Sequence, residues 1–309
     1  ESSIETQGTA AVPLQPLLDI TSELPDNSRV EMEVGENNTV NIKTDFGSYD
    51  LMGKDSEEYP APPNTNEGVE TGMGSSLLNK IISTVSFAVS KDDLKPALTG
   101  VLFKLESENI TTVATDGHRL AKYVCKNETE KGFEGEVIVP RKFLNTISSY
   151  VGSAEDMSLI MNENVFTAKV GADTIHTRII DEKFPDYESV IPKDNDKVLE
   201  IKLNEFKNSI ERVTTVSSDK KEGVKMNISK NALQLSVNSP NSGEGSEIME
   251  VSFNSNDMSI SFNSRYLIDI TSQIENDSIV LHLKDSGSPV VIKDLSDKSS
   301  FHVVMPMKI

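Results

Sequence analysis

The sequence predicts an α+β protein built from three similar units. Each would place two helices on one face of antiparallel sheets, and the first unit would be partial. Two observations predict this. Three stretches align: Val12–Ser22 (VPLQPLLDITS), Val139–Ser149 (VPRKFLNTISS) and Phe262–Ser272 (FNSRYLIDITS), at offsets of 127 and 123 residues. A second kind of segment precedes the two later copies, at Ser75–Val89 and Leu203–Ser218, and strand-like runs follow it from Gly100-Val101 and Gly223-Val224, again 123 residues apart. Self-similarity at a fixed offset marks a tandem architecture, and this period exceeds the ~20–50 residues of solenoid repeats. It equals one ordinary domain per copy.

Along the chain, Val12–Ser22 carries Leu17 and Ile20 at helical spacing, and RVEMEV and NTVNIKT then alternate as half-buried strands do. EEYPAPP reads as a connector, since clustered prolines continue neither helix nor strand. Ser75–Val89 reads as an amphipathic helix and LTGVLFKLESENITTVATD as a hairpin. Phe143, Leu144 and Ile147 mark the next helix, DMSLIM and VFTAKV the next strands, and EKFPDYESVIP a second connector. Leu203–Ser218 reads as a helix and GVKMNISKNALQLSVNS as a hairpin; Tyr266, Leu267 and Ile270 mark the last helix, with IVLHLK and PVVIKD as strands. The first unit lacks its opening helix-and-hairpin half, so about 60 residues are expected to precede the chain in the intact protein. The expected domains are 1–67 (second half only), 68–195 and 196–309.

Bulk properties narrow the function. No window of 18 consecutive apolar residues occurs, so no membrane-spanning helix is expected. The single cysteine, Cys125, excludes an internal disulfide and suits a reducing compartment. The four histidines stand apart and make no metal-ligand spacing. An enzyme reading would start from Asp116 and His118, but nucleophile-elbow, zincin and phosphate-loop motifs are all missing. The net charge of −19 argues against nucleic acid at long range while leaving room for a local basic surface.

LTGVLFKL (Leu98–Leu105), ATDGHRLA (Ala114–Ala121), VIVPRKFL (Val137–Leu144), KFPDYESVIP (Lys183–Pro192) and VVMPMKI (Val303–Ile309) carry a resemblance along the whole chain. In these segments the chain resembles the bacterial DNA polymerase III β subunit family, the β sliding clamps. The resemblance implies a DNA-clamp fold with three domains per subunit, and two subunits head to tail in a ring whose helices line the hole. It implies a non-enzymatic processivity factor without cofactors, cytoplasmic and nucleoid-associated. The ring would encircle duplex DNA without reading sequence, and would tether replicative and repair polymerases, the clamp loader and other clamp-motif proteins. The alternative is a multidomain peptide-binding scaffold without a DNA role.

The resemblance also implies sites. A peptide cleft between the second and third domains would take Leu98, Thr115, Gly117, His118, Arg119 and Leu120 from one side, and Pro185 and Val190 from the connector. Val303, Val304, Met305, Pro306 and Met307 would come from the tail; Ser189 and Pro289 lie at cleft positions where the family varies. The tail's own pattern fits. Phe301, Val303, Met305 and Met307 alternate with His302, Val304 and Pro306, and Pro306 weakens strand pairing. Methionines suit a surface that accepts several apolar partners. DNA would face Lys80, Lys91, Lys95, Arg141, Lys142, Lys207 and Arg265, with Arg212 a further candidate; Gln15 and Pro16 leave the first unit poorer in basic charge. Subunits would meet through Ile20, Tyr49 and Leu51 on one chain and Thr215 and Val216 on the next.

Overall fold

Helix α1 spans Leu14–Ser22 although Pro16 stands within it. The proline lies in the first turn, where backbone N–H groups have no intrahelical acceptor, so no helical bond is lost. The computed structural model describes residues 3–35, 37–61, 69–71, 73–127, 134–151, 157–217, 223–240 and 242–308. The expected boundary at 67/68, Pro62 and Pro63 of the first connector, Ser218 and Ile309 lie outside the described residues. The chain divides into two units, Glu1–Pro63 and Asn64–Ile309.

In the first unit, β1 (Val30–Val34), β2 (Thr39–Thr44) and β3 (Ser48–Met52) form an antiparallel sheet in that order. Val40 and Ile42 on the central strand are buried, while their cross-strand neighbours Met32, Val34 and Tyr49 stay exposed. Among the described residues of this unit only those two apolar side chains are fully enclosed.

The second unit runs twice through one element order. The first pass is β4 (Val69–Thr71), α2 (Ser75–Val85), β5 (Gly100–Leu105), β6 (Asn109–Thr115), β7 (Arg119–Lys126), β8 (Gly135–Pro140), α3 (Arg141–Val151), β9 (Met157–Met161), β10 (Val165–Val170) and β11 (Asp173–Arg178). The second is β12 (Lys197–Lys202), α4 (Leu203–Thr214), β13 (Gly223–Ser229), β14 (Ala232–Ser239), β15 (Gly243–Glu250), the short β16 (Ser252–Phe253), β17 (Met258–Asn263), α5 (Ser264–Thr271), β18 (Ser278–Leu283), β19 (Val290–Asp294) and β20 (Ser300–Val304). All pairings are antiparallel. Gly100 faces Pro140 just before α3, and Gly223 faces Asn263 just before α5, so the glycine match in the sequence has a common register.

Helix spacing and burial agree. Leu78, Ile81, Ile82 and Val85 on α2 join Phe143, Leu144 and Ile147 on α3 in one core. Phe206, Ile210 and Val213 on α4 join Leu267 and Ile270 on α5 in a second. Helix α2 is shorter than its sequence pattern: after Val85 it tightens into a 3-10 turn, Ser86–Ala88. That turn aims the Phe87 carbonyl at Arg119. Helix α4 likewise closes at Thr214, short of Ser218.

Three sheets result in this unit: β11-β10-β9-β4, β15-β14-β13-β17, and a nine-stranded sheet in the order β16-β12-β18-β19-β20-β7-β6-β5-β8. The last is continuous because β20, from the tail, pairs with β7 from Val304↔Arg119 to Ser300↔Tyr123. Regular pairing stops at Val304, before Pro306. The tail then holds on by single bonds, Met305 N–H to the His118 carbonyl (2.8 Å) and Met307 N–H to the Ser261 carbonyl (2.7 Å). A small third core at this junction contains Leu102, Val113, Leu120, Phe184, Val291 and Val303. Asn195, at the end of the second connector, donates to the carbonyls of His282 and Pro289.

Candidate functional site

The β6–β7 turn is dictated by its residues. Gly117 has φ +90°, a conformation that glycine adopts without strain. Asp116 accepts the backbone N–H groups of His118 (2.9 Å) and Arg119 (3.0 Å). The Thr115 hydroxyl donates to the Arg119 carbonyl (2.6 Å) and accepts from the Gly117 N–H (3.1 Å). Such side-chain bonds fix the turn, so His118 and Arg119 leave it in defined directions.

One side of this turn is an apolar cavity of about 220 Å³. Leu98, Thr115, Gly117, His118, Arg119, Leu120, Pro185, Val190, Val303 and Met305 line it, together with Asp186 and Tyr187. The structure thus brings together Leu98, Thr115, Gly117, His118, Arg119 and Leu120 with Pro185 and Val190 of the connector and two residues of the tail, whereas Ser189 and Pro289 do not line the cavity. Val304 does not line it: alternation along β20 turns its side chain into the α4–α5 core, where it is fully buried. Pro306 and Met307 also lie outside the lining, since the chain past Met305 is drawn toward Ser261. Asp186 and Tyr187 were absent from the expected set, although both stand between Pro185 and Val190 in one connector. A 3-10 turn at Glu188–Val190 folds that connector back. Tyr187 packs edge-on against Phe184, and burial raises its phenol above the usual range.

The other side of the turn is a polar groove of about 720 Å³. Its lining includes Lys91, Lys95, Arg141 and Arg265, four of the expected DNA-facing cations, with Asp92, Asp116, His118, Arg119, Tyr266 and Asp269. The remaining expected cations are elsewhere. Lys80 lines a separate cavity and approaches Glu275 (3.6 Å). Lys142 is exposed and Lys207 half-buried on their helices, outside this lining. Arg212 is held by Glu247 through two 2.7 Å bonds, which makes it a structural ion pair with strand β15.

Arg119 belongs to both cavities. Its side chain is 9% exposed. The guanidinium bonds to Asp116 (3.1 Å), Asp269 (2.6 Å) and the Phe87 carbonyl (2.9 Å), and lies between the rings of Phe87 and Tyr266. A planar fork with five donors can make these contacts together, and an ammonium cannot. Burial raises the Tyr266 phenol, and its ring also stacks on His118. Arg119 therefore ties the turn to α5 through its charged end and gives the cavity its stem. Asp269 and Tyr266 were missed as its partners. The available signal was helical spacing, which puts Arg265, Tyr266 and Asp269 on neighbouring positions of α5.

The residues expected at a subunit contact fall on strand edges or helix ends. In the first unit, Tyr49 (38% exposed) and Leu51 lie on β3, an edge strand, and Ile20 is half-buried on α1. In the second, Thr215 and Val216 follow α4 beside β15, itself an edge strand; a Cβ on Gly245 would come within 3.4 Å of Val216. Among the described residues no helix is long and apolar enough to cross a membrane.

A twice-repeated antiparallel α+β order with paired helices, plus an apolar cleft where the tail meets the β6–β7 turn, defines a clamp-type architecture. Comparison with known proteins is specific. Residues 73–186 match the DNA polymerase III beta subunit, central domain, and residues 188–308 match its C-terminal domain. The beta sliding clamps of Escherichia coli K12 and Salmonella typhimurium are each 30% identical over 304 residues, covering 98% of this chain and 82% of theirs. A Caulobacter crescentus beta sliding clamp, solved with PEG at a putative beta-motif tethering region, superposes with TM-score 0.92 at 28% identity, over 99% of this chain and 83% of that one. A DnaN sliding clamp from Bartonella birtlesii, solved with griselimycin, gives 0.90 at 29%, over 99% and 84%. The chain belongs to the DNA polymerase III β subunit family, the β sliding clamps.

Proposed function

We propose that this protein is a processivity factor: a homodimeric ring that encircles duplex DNA and tethers polymerases, the clamp loader and other clamp-motif proteins through the cleft lined by Leu120, Val303 and Met305. The observation that carries the reading is the cleft itself. Its walls are apolar and its rim offers the fixed polar groups of the Thr115–Arg119 turn, the combination that holds an extended peptide in one orientation. The domains on its two sides are taken as 68–195 and 196–309, after the partial domain 1–67.

The cationic groove supports loose, sequence-independent contact with phosphate. Ring closure has a physical route. Strands β3 and β15 are both sheet edges with unpaired backbone groups, and a head-to-tail contact that closes on itself gives a ring. Topological linkage makes tight DNA binding unnecessary, which accommodates a net charge of −19. The chemistry is that of a binding protein without cofactors, acting in the bacterial cytoplasm at the nucleoid.

Titration of a short glutamine-plus-leucine/phenylalanine clamp-binding peptide tests this. Met305→Ala should weaken binding about tenfold or more, as loss of a buried contact does, and Met307→Ala should change it far less. Equal binding by wild type and Met305→Ala would remove the tail from the site.

A further inference from the structure

We infer that the joint between subunits is a like-charge contact, so that the ring closes more tightly as salt is raised. The inference rests on the reading of β3 and β15 as the two edges that meet, and adds how that contact is regulated. Strand β15 presents an exposed face of Glu244, Ser246, Ile248 and Glu250, with Ile248 73% exposed. Its other face turns Glu247 toward α4, where Ser209 and Arg212 bind it. Arg212 is thereby committed within its own subunit. Among the described residues neither Glu244 nor Glu250 has a cation within 4.0 Å. Glu211 adds a further exposed carboxylate in the last turn of α4.

The facing edge carries the same sign. Asp50 is the one charged residue of β3; it is exposed and holds the Asn41 amide (2.6 Å) rather than a cation. Residues 1–63 carry thirteen Asp and Glu against Arg29, Lys43 and Lys54, a net charge of −10 out of the chain's −19. Of those cations, Lys43 is already bound to Glu33 (3.2 Å). No register separates the charges. Every residue of the eight-residue β15 lies within three positions of Glu244 or Glu250. Asp50 laid anywhere along it therefore comes within ~10 Å of a carboxylate, at ~3.4 Å per residue. Like charges across paired strands oppose pairing, and their repulsion reaches about 10 Å at 0.1 M salt but about 3 Å at 1 M. What draws the edges together is uncharged: unpaired backbone groups, and the apolar side chains of Tyr49 and Leu51 on one edge and Val216 and Ile248 on the other.

Sedimentation equilibrium of the full chain at about 0.05 M and about 1 M sodium chloride tests this. The dimer dissociation constant should fall about five- to tenfold as salt is raised, the effect of screening a few like-charge contacts. Glu244→Gln/Glu250→Gln should dimerise tightly already at the lower salt and change less than about twofold on raising it. Glu244→Lys/Glu250→Lys should reverse the sign and dimerise more tightly at low salt than at high, because the new cations face Asp50 and an acidic first unit. Both positions are exposed on an edge strand, so the circular dichroism of the variants should match wild type. A wild-type constant that rises with salt overturns the inference. An equal salt response in wild type and the Gln variant also overturns it. Absence of a dimer in all three proteins at both salt concentrations would instead refute the ring reading, and the inference with it.

Discussion

His302→Leu should make the protein markedly more resistant to mild acid. His302 lies mid-strand on β20, 1% exposed, paired with Ala121 and Ile292 across the junction of the nine-stranded sheet. Its ring packs against Phe87 with centroids 5.6 Å apart, and neither ring nitrogen has a partner at ordinary hydrogen-bond geometry. Burial pulls the imidazole from 6.5 down to about 4, against smaller opposing influences from the Thr84 backbone and Asp297. The folded value lies below the unfolded one, so the unfolded chain takes up the proton first. Stability is therefore intact above about pH 6.5 and is lost as pH falls toward 4. At pH 5 the loss amounts to about 2 kcal/mol, taking about 1.4 kcal/mol per pH unit. Leucine has no proton to accept and leaves no unpaired polar atom. Near pH 7.5 the variant should match wild type or exceed it by up to ~1 kcal/mol, and at pH 5 it should gain about 2 kcal/mol more. Urea unfolding followed by circular dichroism suits a chain without tryptophan. Every other titrating group is common to both proteins and cancels in the comparison. An equal change between the two pH values in wild type and variant would refute the reasoning.

Other perturbations have separate expectations. Arg119→Ala should lower stability by about 3 kcal/mol and weaken peptide binding, because it leaves Asp269 and Asp116 facing an empty site; unfolding and peptide titration on one sample check both. Gly117→Ala has open space for its Cβ but must hold φ +90°, so it should cost about 1–2 kcal/mol through the backbone alone and loosen the peptide site, measured the same way. Glu247 is held down to about 2 by hydrogen bonds from Arg212 and then Ser209. Its ion pair should persist well below the usual carboxylate range and break only as pH falls from 4.5 toward 2; NMR titration of the Glu247 carboxyl should show this, and a midpoint near 4.5 would contradict the bidentate pair.

Much of the fold was legible because periodicity and register are local. The glycines at 100 and 223 and the repeated helix-plus-strand stretches were visible as a spacing, and they became equivalent strand ends and helix starts. Alternation along the tail assigns its residues to opposite faces, and Val303 and Val304 do enter different cores. That same alternation explains why Val304 cannot line the cleft. Less legible was anything decided by partners distant in sequence. Arg119 was expected only at the cleft, yet Asp269, 150 positions away, takes one arm of its guanidinium. Arg212 looked like a free cation on a helix, but strand β15 supplies Glu247. Lys80 and Lys142 have the right charge on the right helices, while the groove is assembled by the loop at Lys91–Lys95 and the first residues of α3 and α5. Sequence spacing gives a helix face; which neighbouring element meets that face depends on tertiary packing.

The most direct test of the clamp reading is lifetime on DNA of different topology. The full chain, loaded by a clamp loader onto nicked circular duplex, should stay bound for many minutes at moderate salt and leave promptly once the circle is cut by a restriction enzyme. Lifetimes that are the same before and after linearisation would show that contact, rather than encirclement, holds the protein on DNA.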